Sequence, residues 1–363
     1  MARRRTLMMG LAAPIVFSLT LAACGSSDNS GSGSGSSSGG SASGKVGVIL
    51  PDTTSSPRWE SQDRPKLEAA FRAAGVKSAI QNAQTDAQKM QTIAQQMITG
   101  GVTVLAIVNL DSASGAAIEQ QAKKQGVSTI DYDRLTLGGA ADYYVSYDNA
   151  QVGKLQGEGL QKCLGDKKAN IAYLNGSPDD NNATLFSQGA HSVLDKVSNY
   201  TKVAEQAVPG WDAVQAQTIF EQLYTQAGGK IQGVYAANDT LANAAIQTLK
   251  RNNQKVPVTG QDAAVVGLQN ILSGDQCMTV WKPADAEAKA LSDVAIALLK
   301  GDTPKTTGTV KDTEGSRDVK AILLDPISVT KDNLAESISK GAQSVSDVCT
   351  GAYAAMCSTA GIK

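Results

Sequence analysis

Short apolar runs alternate with longer stretches of helical periodicity along most of the chain. Residues 45–50 form an apolar run ending at Pro51, which reads as a buried strand. Residues 63–74 follow with helical spacing, Pro65 near the first turn and Gly75 beyond the end. Strands over 78–82, 102–108 and 128–132 then alternate with helices over 86–99 and 114–125, and 143–146 adds a short strand.

The order starts again after Tyr147. Helices are expected over 149–164, 183–197, 213–227 and 240–251, with strands over 169–174, 202–207 and 231–236 between them. Strands over 256–259 and 277–280 and helices over 265–273 and 284–300 complete the alternation. Such a βαβα pattern implies an α/β fold with parallel sheets covered by helices on both faces. Two successive sets of units, with no Gly/Ser linker between them, suggest two similar lobes.

Composition narrows the class. Of 363 residues, 42% are hydrophobic and 18% charged, which supports a packed core and excludes wholesale disorder. The 33 basic and 34 acidic side chains cancel to a formal charge of −1, which argues against a nucleic-acid partner and its need for a basic face. The single His, His191, makes a His-rich metal site or a Ser-His-Asp engine hard to build. It falls inside the helix expected over 183–197 without a nucleophile elbow beside it, and reads as structural. No metal and no cofactor are expected.

The first residues read as an address. Arg3, Arg4 and Arg5 precede an apolar run from Leu7 to Leu21, the layout of an export signal, too short and interrupted for a bilayer span. Leu21-Ala22-Ala23-Cys24 resembles a bacterial lipobox, which makes 1–24 a lipoprotein signal peptide and Cys24 the lipidated first residue. Residues 25–44 are almost entirely Ser and Gly, a flexible tether with nothing to bury. Lipid, tether and globule together imply an exported protein anchored to the outer face of the cell membrane, periplasmic or extracellular.

Ligands of open parallel sheets bind beyond the carboxyl ends of the strands. Collected there are Arg58 and Trp59, Asp133 and Arg134, Asp180 to Asn182, Asn238 and Asp239, Gln261 and Asp262, and Trp281 and Lys282. Planar Asn, Asp and Arg groups pair with adjacent hydroxyls. A Trp ring covers a C–H face, and Trp59, Trp211 and Trp281 all fall in or beside these loops. Cancelling charge suits a neutral ligand, and a monosaccharide has this chemistry. Composition alone leaves open that these are merely polar loops and core tryptophans.

At these residues the chain resembles the periplasmic D-xylose-binding proteins. The likeness is carried by Val48-Ile49-Leu50-Pro51-Asp52, Arg58-Trp59-Glu60, Asp131-Tyr132-Asp133-Arg134 and Tyr144-Val145-Ser146-Tyr147-Asp148-Asn149. Gly176 to Ala183, Ala237-Asn238-Asp239, Gly260-Gln261-Asp262 and Met278 to Pro283 add to it, in order and at similar spacing. The resemblance implies a type I periplasmic-binding-protein fold: two doubly wound parallel-sheet lobes joined by a three-strand hinge, with sugar closed between them. It implies an N-terminal lobe over 45–147 completed by about 283–323, and a C-terminal lobe over 148–282 completed by about 324–340. It places Arg58, Trp59, Asp133, Arg134, Asp180, Asn182, Trp211, Asn238, Asp262 and Lys282 on the sugar, with no catalytic residue. It further implies a monomer that hands its ligand to an ABC permease and ATPase by hinge closure. The chain departs from those proteins at 53–57 and beyond Ser339, where a Cys-bearing tail, 341–363, follows.

Four cysteines besides Cys24 form an even set in an exported chain, which favours two disulfides. A helix leaving the cleft ends near Cys163 and a strand returning to it starts near Cys277, so Cys163–Cys277 is expected at the distal end of one lobe, and Cys349–Cys357 closes a short loop. Other readings remain. A sugar-responsive repressor shares this fold but needs a helix-turn-helix where the tether lies. An α/β enzyme lacks its nucleophile–base pair. A sugar-sensing or quorum-signal receptor would use the same loaded lobe pair.

Overall fold

The computed structural model describes residues 44–363. The export signal, Cys24 and the tether up to residue 43 lie outside the described residues.

The first lobe starts with five strands: β1 Lys45–Leu50, β2 Lys77–Asn82, β3 Val104–Ile107, β4 Ser128–Tyr132 and β5 Tyr143–Tyr147. Helices α1 (Arg64–Ala73), α2 (Ala87–Thr99) and α3 (Ser112–Lys124) connect β1 to β4, and all these strand pairs are parallel. Side chains alternate along a strand. Val46, Val48 and Leu50 share a cluster with Leu67 and Phe71 of α1, while Ile49 joins Met90, Ile93 and Ala94 of α2. Both faces of β1 are therefore covered, which is why its sequence is a continuous apolar run.

The second lobe centres on β6 (Ala169–Asn175), flanked in parallel by β7 (Tyr200–Ala207) and β8 (Gly233–Ala236). Helices α4 (Asn149–Leu164), α5 (Asn181–Leu194), α6 (Ala213–Gln226), α7 (Asp239–Arg251) and α8 (Val265–Ser273) surround it. Helices α4 and α5 touch backbone to backbone. A Cβ at Gly153 would lie 1.9 Å from the carbonyl oxygen of Phe186, so only glycine fits. The 256–259 strand expected from the sequence is not formed. Val258 makes one isolated bridge to Val234, because Pro257 has no N–H to carry the ladder on.

The chain crosses between the lobes three times. After β5 it enters α4. After β9 (Met278–Trp281) it returns to the first lobe as α9 (Ala284–Leu299), whose Leu291, Val294 and Ala295 join the β1 cluster. There it adds the hairpin β10 (Gly308–Asp312) and β11 (Arg317–Leu324), giving the seven-strand order β10-β11-β5-β4-β3-β1-β2. The third crossing leads to β12 (Ile327–Thr330), antiparallel to β9. The β10–β11 hairpin, β12 and the helices α10 (Leu334–Ser339), α11 (Val345–Val348) and α12 (Tyr353–Thr359) were not expected from the sequence. Strand β10 is largely exposed, so it shows no apolar run.

The cysteines pair as Cys163–Cys277, with Cα atoms 6.5 Å apart, and Cys349–Cys357, 5.8 Å apart. Among the described residues, no helix is long and apolar enough to cross a membrane, and no group of His, Cys, Asp and Glu is arranged to hold a metal.

Candidate functional site

The carboxyl ends of the strands in both lobes face one narrow cleft between them.

From the first lobe, the loop after β1 is pinned by Asp52, whose carboxylate accepts from the N–H groups of Thr54 (2.8 Å) and Ser55 (2.7 Å). The hydroxyl of Ser55 in turn accepts from Trp59 Nε1 (3.0 Å) and Arg134 Nη2 (3.2 Å). This fixes the Trp59 indole, over which the Arg58 and Arg134 guanidinium carbons stand 4.8 and 5.5 Å from the ring centre. Trp59 opens a π-helical turn, Trp59–Asp63, ahead of α1, where the sequence pattern predicted ordinary helix from residue 63.

Asp133 follows β4 in a left-handed conformation, φ 60°. Its carbonyl accepts from Tyr144 Oη (3.0 Å) and Ser146 Oγ (2.8 Å) on the neighbouring β5. Its carboxylate meets Lys282 Nζ at 3.0 Å and Arg58 Nη1 at 3.1 Å. Burial alone would raise this carboxyl, but Lys282, Arg58 and Arg134 outweigh it and hold it at about 2.

From the second lobe, two site residues are also helix N-caps. Asp180 accepts from Asn182 N at the start of α5, and Asn238 accepts from Leu241 N at the start of α7. Capping holds these side chains at the strand ends, facing the cleft. Trp211 Nε1 donates to Asp180 Oδ2 at 3.1 Å, and its ring lies against the backbone at Gly176, where a Cβ would come within 2.0 Å of it. Burial raises the Asp180 carboxyl, and Asp133 adds to this against the pull of Arg134. Asp262, φ 94°, faces the cleft after residues 256–260.

The two lobes touch through these groups. Arg134 Nε stands 3.0 Å from Asp180 Oδ2, close enough for an ion pair but not aligned as a hydrogen bond. Asn182 Nδ2 donates to Asp133 at 2.9 Å, Asn238 Nδ2 to the Ser55 carbonyl at 3.2 Å, and Ser56 Oγ to Asp262 at 2.8 Å. The arrangement contains no nucleophile activated by a base. It can bind, orient and enclose a small polar molecule.

Nine of the ten residues expected on the ligand line the cleft. Arg58 does not. Its guanidinium is turned into the first lobe, where it donates to Asp63 (2.8 and 2.7 Å) and Glu287 (2.6 Å), and it meets the site from behind, through Asp133 and the Trp59 ring. Trp281 likewise packs away from the cleft, in the apolar cluster with Leu268 and Val329. Ser55, Ser56 and Phe186 line the cleft without having been singled out, and Gln261, collected beyond its strand but not placed on the ligand, lines it too. Phe186 lies one turn beyond Asn182 on α5, an i, i+4 relation the sequence already contained. Ser55 and Ser56 sit in the segment that departs from the xylose-binding proteins. His191 stacks on Tyr173 at 4.3 Å, outside the cleft lining.

Residues 46–303 match the family model described as a periplasmic binding protein domain. The D-xylose-binding periplasmic protein of Escherichia coli K12 is 34% identical over 301 residues, spanning 82% of this chain and 89% of that protein. The multiple sugar-binding periplasmic receptor of Rhizobium radiobacter is 33% identical over 322 residues, covering 82% and 90%. Among solved structures, a carbohydrate transporter solute-binding protein of Chloroflexus aurantiacus, in complex with D-glucose, superposes with a TM-score of 0.77 at 29% identity, covering 83% of this chain and 97% of that one. With its crossed lobes and inter-lobe cleft, the chain belongs to the periplasmic binding protein family, in its type I fold.

Proposed function

We propose that this is the extracytoplasmic sugar-binding component of an ABC importer, closing its lobes on one monosaccharide, D-xylose, and presenting the loaded form to a membrane permease coupled to an ATPase. The observation that carries this reading is the cleft lining: Trp59 and Trp211 offer apolar faces while Asp133, Arg134, Asp180, Asn182, Asn238, Asp262 and Lys282 offer donors and acceptors, three carboxylates against two cations with Arg58 as a third behind Asp133. The names of the relatives point the same way. Arg58 acts behind Asp133 rather than on the sugar. Anchoring through a lipid on Cys24 and a monomeric state belong to the same proposal.

The choice of pentose rests on the similarity to the xylose-binding proteins. A pentopyranose lacks the exocyclic CH₂OH of a hexose, so a tight site rejects glucose by clash on closure. Calorimetry with D-xylose, D-glucose, L-arabinose, D-ribose and D-galactose tests it. Binding of D-xylose at micromolar affinity or tighter, about −8 kcal/mol or better, is expected, with glucose weaker. Silence with xylose and clear heat with another sugar would keep the sugar-binding role and overturn the ligand; silence with all would overturn both.

A sensing role is the second reading, supported by the receptor of Rhizobium radiobacter. Loss of sugar uptake on deleting the permease and ATPase genes, with transcription responses unchanged, supports import; the opposite pattern supports sensing.

A further inference from the structure

The tail 341–363 packs beside the cleft. Val348, Cys357 and Ile362 are buried with Leu268 and Ile271 of α8, and Gln269 Nε2 on α8 donates to the Val348 carbonyl at 3.1 Å. Helices α11 and α12 have four and seven residues, too short to persist alone. The Cys349–Cys357 bridge and this apolar contact hold them in place.

At the start of the tail, one side-chain amide makes two contacts on opposite sides. Gln343 Nε2 donates to the Ala263 carbonyl at 3.1 Å, and Gln343 Oε1 accepts from Gln62 Nε2 at 3.2 Å. Ala263 follows Asp262, and both are non-glycine residues at positive φ, 49° and 94°, a conformation that side-chain-bearing residues hold only when their surroundings enforce it. Gln62 belongs to the π-helical turn that carries Trp59 and Asp63. The amide thus joins the turn bearing Trp59 in the first lobe to the turn bearing Asp262 in the second, next to Lys282 and Ala284 at the β9–α9 crossing.

We propose that Gln343, presented by the disulfide-closed tail, is a positioning residue: it holds the Asp262–Ala263 turn in its binding conformation and ties the lobes together on the hinge side. Its effect on affinity rests on the reading of the cleft as a sugar site; the tie between lobes does not. Nothing in the tail lines the cleft, so its influence passes through Ala263 and Gln62. The consequence is that a segment beyond the matched binding domain sets how readily the lobes close.

The test is a double-mutant cycle in the full chain. Gln343→Met keeps the length and removes both contacts; Gln62→Met removes one and leaves the tail untouched. With D-xylose and D-glucose as probes, Gln343→Met should weaken binding about threefold to tenfold, the size of one or two neutral hydrogen bonds, with the loss in the dissociation rate. The double variant should lose little more than Gln343→Met alone. Without sugar, distances between spin labels on the outer faces of the two lobes should broaden towards open forms in both single variants, and in Cys349→Ser/Cys357→Ser. Additive losses, or unchanged affinity and unchanged distances, would overturn the proposal. If the wild-type chain binds none of the sugars, the functional reading falls, and the spin-label distances alone decide the tie.

Discussion

Asp133 has Lys282 and Arg58 on its carboxylate and Asn182 reaching it across the cleft, so its charge is secured before any ligand arrives. Arg58 is 6% exposed and faces three carboxylates, so Arg58→Ala leaves Asp63 and Glu287 without their cation and Asp133 with Lys282 as its close partner. Breaking a buried pair in this way costs about 3–5 kcal/mol, and a drop of several degrees in melting temperature is expected, with binding lost through Asp133. Asp262→Asn keeps shape and tolerates positive φ but removes a charge-assisted hydrogen bond, about 1.5–3 kcal/mol or roughly 10- to 150-fold in affinity. Its melting should barely change. Equal melting losses in the two variants would contradict this division. Glu287 supplies a pH signature. Burial, with Asp133 and Asp63 adding to it against Arg58 and Lys282, pushes its carboxyl up to about 8 from an ordinary 4.5. Between those values the folded protein keeps a proton that the unfolded chain has released, so stability is highest below 4.5 for this group and falls as pH rises towards 8. Glu287→Gln imitates the protonated form. Melting curves from pH 5 to 9 should show it flatter than wild type and more stable at pH 9, and identical slopes would refute the assignment.

At the scale of elements, the strand–turn–helix unit does the positioning. In the second lobe, strands end at the cleft and the next helix begins with a capping side chain there, as Asp180 does for α5 and Asn238 for α7, whereas α1, α8 and α9 have no side-chain cap. Helix capping and the lining of the cleft therefore use the same residues, and their polar character in the sequence reflects both. The Cys163–Cys277 bridge joins the end of α4 to the start of β9, away from the cleft. Replacing both cysteines by Ala should lower stability by about 2–5 kcal/mol and leave sugar affinity unchanged; a matching loss of affinity would place the bridge in the closing machinery. Non-reducing peptide mapping should recover Cys163 with Cys277, and a peptide joining Cys163 to Cys349 would refute the pairing.

For the whole molecule, the three crossings make closure a rotation about one edge, and the cleft groups already meet across the gap through Arg134–Asp180 and Asn182–Asp133. A sugar with matching hydroxyls replaces such contacts with its own and favours the closed form by its differential affinity. The lipid proposed on Cys24 would set where this occurs. Mass spectrometry of the native protein should show an acylated Cys24 as the first residue, and an unmodified chain beginning elsewhere would remove the anchor from the proposal.

The alternation of apolar runs and helical stretches specified the α/β class and most elements of both lobes, because burial on two faces demands apolar residues at consecutive strand positions. Polar residues after the strand ends exposed most of the cleft for the same topological reason. Local pattern was silent wherever partners come from afar. Arg58 reads like its neighbour Trp59, yet its guanidinium is drawn inward by Asp63, five residues on, and by Glu287, 229 residues later, and the second partner arrives only when α9 packs against the first lobe. Strand β10 carries little hydrophobic signal because it is the exposed edge of the sheet, whereas β11 ends in the apolar run Ala321-Ile322-Leu323-Leu324, a signal the pattern did contain. Gln343 is one polar residue in a weakly patterned tail, and its place between Gln62 and Ala263 exists only after both lobes and the tail are assembled.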